Sequence, residues 1–227
     1  MEGTLYIVPT PIGNLEDMTL RGIRILKGVN LVLCEDTSVT QKMFNHYEID
    51  TPTSVFFAQT KLKNVEKILK MLEEGKQIAL VSDAGTPTIS DPGVLLVDRI
   101  RTELPDVKIV ALPGASAITT ALSTSGISSA QFVFLGFLPH KKGRETLFKE
   151  IAESKRTMVF YESVHRIEKT LESLSECILP PRRIVIAREM TKMYEEVVRG
   201  EAKDVRNYFV KKRDKIRGEF VVIVEGR

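Results

Sequence analysis

The alternation of short apolar runs with amphipathic stretches is the feature that most restricts how this chain can fold. Five runs in the first half have the length and composition of buried strands: residues 4–9, 30–35, 53–58, 77–82 and 108–113. Residues 37–47 and 62–72 repeat apolar side chains at helical spacing. Thr37 or Ser38 is expected to cap the first of these helices, and Gly75 to end the second. Strands that alternate with helices predict a mostly parallel sheet with helices on both faces.

The second half restarts the pattern in a different order. Its strand-like runs are residues 157–162, 182–189, 195–200 and 218–226. One helical face is lined by Val164, Ile167, Leu171, Leu174 and Ile178. The run at 195–200 is short and ends in glycine, so it can pair back antiparallel, which favours a mixed sheet. We therefore predict two α/β domains, residues 1–113 and 114–227, joined near residues 113–116.

Composition narrows the class of protein. A chain of 227 residues can bury the core of one large domain or two small ones. Its net charge of +3 permits a nucleic-acid partner without requiring one. Cys34 and Cys177 belong to no CxxC pair and the three histidines are scattered, so no metal site is expected. Both cysteines are expected to be reduced, buried thiols, which predicts a cytoplasmic protein. The sequence shows neither a signal pattern nor an apolar run of about 20 residues.

Three loops of small and stiff residues follow predicted strands. They are "VPTPIGN" at 8–14, "SDAGTPTISDPG" at 82–93 and "LPGASA" at 112–117. Ligands of open parallel sheets collect at the carboxyl ends of the strands, where a backbone free of bulky side chains can approach them. A structural alternative exists for two residues, because Asp91 before Pro92 is a sound helix start and Ser116 could cap the next helix. Neither GxGxxG nor GxxxxGK[ST] occurs, which disfavours dinucleotide and P-loop sites.

Charged residues concentrate in the second half around predicted strand ends, at 160–167 and 187–200. They can be surface ion pairs or parts of a functional site. The basic loop "HKKGR" at 140–144 follows "GFLP" and is predicted to contact RNA. For the basic stretch 206–217, a solvated amphipathic helix is favoured over an RNA contact.

Seven motifs in order carry a resemblance to a known family. They are "YIVPTPIGNLEDMTLRGI", "CEDTSVTQKM", "VSDAGTPTISDPG", "LPGASA", "GFLP", "FYESVHRI" and "REMTKMYEEVVRG". From about residue 4 to residue 226, the chain resembles the ribosomal RNA small-subunit methyltransferase I family of the tetrapyrrole-methylase superfamily. The resemblance implies two α/β/α domains with S-adenosylmethionine (SAM) in the cleft between them, usually in a homodimer. It also implies methyl transfer to the ribose 2′-oxygen of a cytidine in the decoding region of 16S rRNA, within the small ribosomal subunit.

The resemblance also implies which residues contact SAM. In the first half and at the junction these are Pro9, Asp83, Ala84, Gly85, Thr86, Pro87, Ile89, Ser116 and Ala117. In the second half they are Tyr161, Glu162, Ala187, Phe220 and Val221. The expected RNA contacts are His140, Lys141, Lys142 and Arg144.

Methyl transfer to a hydroxyl group needs alignment of three atoms and a group that handles the hydroxyl proton. The candidates for that second role are Glu35, Asp36, Glu162, Arg188, Glu189 and Lys192. We predict that Glu189 or Glu162 orients the ribose, while Arg188 and Lys192 hold phosphate. Two alternatives remain open, a methyltransferase that acts on a tetrapyrrole or another small molecule, and a non-catalytic RNA-binding protein of ribosome assembly.

Overall fold

The computed structural model describes residues 3–57, 62–91 and 93–227. The chain divides into a compact unit that ends at Ser116 and a second that begins at Ala117. This division falls just after the boundary at residue 113 that the sequence suggested. That the two units are separate domains with the predicted bounds, 1–113 and 114–227, stays a prediction.

The first unit is built on a five-stranded sheet. Its strands are β1 (Thr4–Ile7), β2 (Leu31–Cys34), β3 (Thr53–Val55), β4 (Gln77–Leu80) and β5 (Lys108–Ala111). Its helices are α1 (Leu20–Gly28), α2 (Thr37–Tyr47), α3 (Leu62–Glu73) and α4 (Val94–Glu103). The strand order is β3-β2-β4-β1-β5, and each neighbouring pair is parallel. The predicted parallel α/β sheet is therefore confirmed.

Both faces of this sheet are buried, which explains why its strands read as continuous apolar runs. Ile78 and Leu80 of β4 enter one hydrophobic cluster with Leu72 of α3. Ala79 enters the opposite cluster, with Phe44 of α2. Each large side chain so buried stabilises the unit by about 1.5–3 kcal/mol.

The second unit is also built on a five-stranded sheet. Its strands are β6 (Phe132–Phe137), β7 (Thr157–Ser163), β8 (Arg183–Arg188), β9 (Glu196–Glu201) and β10 (Glu219–Val224). Its helices are α5 (Ala117–Ser125), α6 (Arg144–Glu153), α7 (Ile167–Cys177) and α8 (Ala202–Lys211). The order is β6-β7-β10-β8-β9, with β6 and β7 parallel and the other pairs antiparallel. The predicted mixed sheet is confirmed, including the antiparallel return of β9 along β8.

Several local predictions need correction. The cap of α2 is Asp36, whose carboxylate accepts a hydrogen bond from the Ser38 amide at 2.7 Å, so neither Thr37 nor Ser38 is the cap. Helix α4 follows Gly93, and the alternative in which Asp91 caps a helix is therefore wrong. The predicted place of Pro92 at the helix start lies outside the described residues, as does the end of the strand predicted at 53–58.

None of the helices in the described parts of the chain is long and apolar enough to cross a lipid bilayer.

Candidate cofactor and substrate site

The loops after β1 and β4 are joined to each other at the carboxyl edge of the first sheet. The amides and carbonyls of Thr10 and Gly85 exchange two backbone hydrogen bonds, at 2.9 and 3.0 Å. The Thr10 hydroxyl also donates to the Ser82 carbonyl at 2.9 Å, and the Ser82 hydroxyl donates to the Gly85 carbonyl at 3.0 Å. Because β1 and β4 are neighbours in the sheet, these bonds fix the two loops as one surface.

The loop after β5 packs against the same surface. The Thr86 hydroxyl donates to the Ala115 carbonyl at 3.1 Å. A Cβ atom on Gly114 would lie 2.6 Å from Cβ of Pro9, so only glycine allows this approach. The structure thus brings together the first-unit residues that were predicted to contact a cofactor.

Backbone strain accompanies this surface. Thr88 and Ser90 adopt left-handed conformations, with φ of 74° and 66°. Such a conformation costs a residue with a side chain about 1–2 kcal/mol. Ile89 stands between them, and its apolar side chain is 45% exposed. Strained residues that hold an apolar side chain in solvent are more typical of ligand-binding loops than of loops that only connect a strand to a helix.

Carboxylates gather at this edge of the sheet. Burial, and next the negative charge of Glu35, raise the pKa of Asp91 to about 7. Burial is also the main cause that raises the pKa values of Glu35 and Asp83. The Asp83 carboxylate accepts a hydrogen bond from the Asp36 amide at 3.2 Å. Partly buried carboxylates that repel one another favour a cationic ligand, because its charge offsets the repulsion.

In the second unit, the predicted residues form two rows on opposite faces of the sheet. Val221 is paired with Tyr161 on one side and with Ala187 on the other. Phe220 is paired in the same way with Glu162 and Arg188. Successive residues of a strand point to opposite faces, so the two rows cannot line the same surface with their side chains. The second row faces the helices, because Phe220 belongs to the cluster of α6, α7 and α8.

Both carboxylate oxygens of Glu162 already have polar partners within the second unit. It is 1% exposed. Its Oε2 accepts from the Thr170 hydroxyl at 2.6 Å and from Arg144 Nη2 at 3.2 Å. Its Oε1 accepts from the Ser163 amide and lies 2.8 Å from Arg166 Nε. These contacts describe a carboxylate that holds α6, α7 and β7 together.

Arg188 is the largest fully buried side chain among the described residues, at 2% exposure. Its Nε pairs with Glu196 at 3.1 Å. Its terminal nitrogens donate to the carbonyls of Tyr194, Lys215 and Arg217, each at 3.2 Å. Arg188 therefore fastens the turn after β8 to the segment that precedes β10.

Glu189 and Lys192 are half-buried in that turn, with side chains 17% and 30% exposed. Lys192 Nζ donates to Glu189 Oε1 at 3.0 Å and to Glu219 Oε2 at 2.8 Å. Burial alone would raise the pKa of Glu189, but the hydrogen bonds from Lys192 and the Glu219 amide lower it overall. The two carboxylates likewise raise the pKa of Lys192 against its partial burial. Both groups are thus charged near neutral pH.

The basic loop presents three of its four predicted side chains to solvent. His140, Lys141 and Lys142 are exposed. Arg144 instead turns inward, where it contacts Glu162 and the carbonyl of Pro139.

Two residues of these networks gave no signal in the sequence. Thr170 reads as an ordinary position of an amphipathic helix, and Glu196 as one charge among several in 187–200. Both matter because the fold brings them to Glu162 and Arg188. Among residues 3–57, 62–91 and 93–227, no group of three or more His, Cys, Asp or Glu is placed to hold a metal ion.

Comparison with known proteins places this architecture in a class. The model of the tetrapyrrole (corrin/porphyrin) methylases matches residues 4–206. A solved uroporphyrin-III C-methyltransferase of Thermus thermophilus, complexed with S-adenosyl homocysteine, superposes with a TM-score of 0.65 at 15% identity. The alignment covers 98% of this chain and 97% of that one. By fold and by sequence, the protein is a member of the tetrapyrrole-methylase class.

Closer relatives define the family within that class. The chain is 46% identical to ribosomal RNA small subunit methyltransferase I of Bacillus subtilis, over 99% of this chain and 75% of the relative. It is 44% identical to the protein of the same name in Thermotoga maritima, over 99% of both. The chain therefore belongs to the ribosomal RNA small subunit methyltransferase I family. It is an S-adenosylmethionine-dependent methyltransferase.

Proposed function

We propose that the protein transfers a methyl group from SAM to the ribose 2′-hydroxyl of a cytidine in the decoding region of 16S rRNA. The observation that carries this proposal is the similarity to relatives named ribosomal RNA small subunit methyltransferase I, at 46% and 44% identity over 99% of this chain. The seven ordered motifs support the finer assignment to a cytidine ribose. The small ribosomal subunit as the setting, a homodimer and a cytoplasmic location belong to the same proposal.

The residues at the carboxyl edge of the first sheet fit the methyl donor. SAM, when bound, supplies an electrophilic methyl group on a positively charged sulfur. Asp83 and its neighbouring carboxylates offer the negative potential that such a charge needs. Gly85, with φ of 86°, lets backbone groups reach the ligand, and the exposed Ile89 offers it an apolar contact. Contacts of the donor with Tyr161 and Val221 stay predictions.

Of the two carboxylates considered for the ribose, we favour Glu189. Its side chain is 17% exposed, whereas that of Glu162 is fully buried, and it is ionised near neutral pH, so it can accept a hydrogen bond from the 2′-hydroxyl. Lys192 beside it can pair with a phosphate group. Glu162 is buried and its oxygens are already bonded to four groups of the protein. The guanidinium group of Arg188 likewise already donates to three backbone carbonyls, so a phosphate could reach it only by displacing them.

The test is single-turnover methylation of undermethylated 30S subunits at saturating SAM, with the modified ribose mapped. Glu189→Gln should slow the chemical step by about 10²–10⁴-fold, the usual contribution of a positioned acid–base group. Glu162→Gln should leave that step close to the parent rate in whatever fraction folds. A parent rate for Glu189→Gln would remove its proposed role. Methyl transfer by the parent protein to a tetrapyrrole, with none to rRNA, would overturn the whole proposal.

Binding of RNA through the exposed loop has its own signature. If His140, Lys141 and Lys142 lie on the backbone, affinity for RNA should fall steeply with salt. The slope of log K against log salt is about −0.7 for each phosphate contacted on a single strand. An affinity that does not change with salt would contradict this contact.

A further inference from the structure

The turn between β8 and β9 exposes two large apolar side chains. Met193 is 89% exposed and Tyr194 is 64% exposed. Neither side chain serves the core of its unit. Exposure of an aromatic ring to water is unfavourable in free energy, and a binding partner that covers the ring removes this exposure.

The turn that carries them is held by its own hydrogen bonds. The Lys192 amide donates to the Glu189 carbonyl at 3.0 Å, and the Glu195 amide donates to the Lys192 carbonyl at 3.1 Å. The Thr191 amide donates to the Glu195 carboxylate at 2.6 Å. Glu189 and Thr191 are both left-handed, with φ of 51° and 64°. Tyr194 is therefore presented by a preorganised turn, which lowers the entropy lost when a partner binds.

The buried Arg188 places this turn next to a strongly basic segment. One terminal nitrogen of its guanidinium binds the Tyr194 carbonyl, and the other binds the carbonyls of Lys215 and Arg217. Carbonyls that share one guanidinium group must lie close together. Residues 211–217 contain five Lys or Arg and one Asp, in the order Lys211, Lys212, Arg213, Asp214, Lys215, Ile216 and Arg217. Of the five cations, all except Lys215 belong to exposed residues.

We propose that Tyr194 and the basic segment 211–217 form a contact surface for single-stranded RNA, with a nucleobase stacked on Tyr194 and phosphates on the cations. An aromatic platform beside a positive track is the pattern that binds single strands without base pairing. The same turn carries Glu189 and Lys192, so the stacked base lies next to the ribose that these residues orient. The inference rests on the proposed function and adds to it a second RNA contact besides residues 140–142.

Charge argues for RNA over a second copy of the chain as the occupant. A symmetric contact would bring together two copies of this surface. Its segment 211–217 carries five positive charges and one negative charge, and its turn 189–196 carries three negative charges and one positive charge, so each copy keeps a net charge of +2. Like charges so placed repel, whereas a phosphate backbone is attracted.

The first test measures binding of a labelled single-stranded RNA of the decoding-region sequence. Tyr194→Ala should weaken binding by about 5- to 150-fold, the range for loss of one base–aromatic stack, while Tyr194→Phe should retain it. The matched control is Leu179→Ala, because Leu179 is 65% exposed and lies before β8, at its opposite end. That control should bind like the parent. SAM affinity should be unchanged in all three variants.

The second test removes two charges from the segment. Lys211→Ser with Arg213→Ser should reduce the salt slope by about 1.4, which corresponds to two phosphate contacts on a single strand. Lys155→Ser with Arg156→Ser makes the same change in net charge just before β7. An equal loss of affinity in both double variants would show a general charge effect and overturn the proposed surface.

Methylation by the parent protein separates this inference from the proposed function. If the parent methylates 30S subunits and Tyr194→Ala binds RNA and methylates like the parent, the inference alone is wrong. If Tyr194→Ala instead lowers the molecular mass in sedimentation without weakening RNA binding, the turn is an interface between copies and the RNA assignment falls. If the parent methylates no rRNA, the proposed function itself has failed.

Discussion

Gly218→Ala tests whether the left-handed turns of the second unit are held by specific close contacts. Gly218 precedes β10 and has φ of 84°. A Cβ atom there would lie 2.2 Å from both Cδ and Oε1 of Glu189. Gly143 before α6 has the same φ of 84°, yet a Cβ atom on it would meet nothing within 4 Å. The two glycines therefore separate the backbone cost of a side chain from the cost of a clash.

The magnitude follows from the two contributions. Alanine in a left-handed conformation costs about 1–2 kcal/mol, which is the whole effect expected at Gly143. At Gly218 the new methyl group must also push the Glu189 carboxylate away from Lys192 Nζ and the Glu219 amide, which lie at 3.0 and 3.1 Å. Loss of hydrogen bonds to a charged group adds about 1.5–3 kcal/mol. We expect a total of about 2.5–5 kcal/mol for Gly218→Ala.

Urea unfolding of the parent and both variants measures these differences, with single-turnover methylation as a second readout. Gly218→Ala should also slow methyl transfer, because it displaces the carboxylate proposed to orient the ribose. Gly143→Ala should lower the urea midpoint by less than Gly218→Ala does, in line with its cost of about 1–2 kcal/mol. Equal destabilisation by the two substitutions would refute the clash, and normal methylation by a folded Gly218→Ala protein would refute the role given to the carboxylate.

Three further outcomes follow from buried polar groups. Because Asp91 holds its proton more tightly in the folded chain, its contribution to the free energy of unfolding should fall as pH rises from its ordinary pKa of 3.8 to about 7. Asp91→Asn should remove that part of the slope in urea titrations across this range, and identical slopes would contradict it. Arg188→Met breaks the ion pair with Glu196 and removes the donor of three backbone carbonyls, so it should cost about 3–5 kcal/mol in the same assay. Thr170→Val deletes a buried donor to Glu162 and should cost about 1–3 kcal/mol, whereas an unchanged midpoint would show that the bond contributes nothing.

The architecture was predictable because it follows from the local spacing of apolar residues along the chain. Apolar runs of strand length, separated by helical repeats, were enough to predict the parallel sheet of the first unit. The ends of individual helices and strands were harder to predict. Asp36 caps α2 although Thr37 and Ser38 are also good capping residues, and which of the three takes the role depends on where the strand before it ends. The strand β6 was not predicted because Gly136 and Pro139 in the same run suggest a loop.

The loops of the first unit were predictable because each directly follows a strand. Parallel strands end at one edge, so loops far apart in sequence had to converge. The second unit offered no such rule. Tyr161 and Glu162 are neighbours in the sequence, yet β7 sends them to opposite faces. Two of the four partners of Glu162, Arg144 and Thr170, lie 18 and 8 residues away, and only the packing of α6 and α7 reveals them.

Residues with strained backbone conformations concentrate in the loops of both units to which we assign a function. Five residues other than glycine have positive φ among those described, and four of them lie in the two segments proposed to act on cofactor and ribose. Thr88 and Ser90 flank Ile89 in the first unit, and Glu189 and Thr191 flank Met190 in the second. Each costs about 1–2 kcal/mol that the surrounding hydrogen bonds must offset. A chain that needed only to connect strands could place glycine at these positions and avoid the cost. Side chains retained there at a cost in stability are consistent with loops shaped for binding and for orientation of reacting groups.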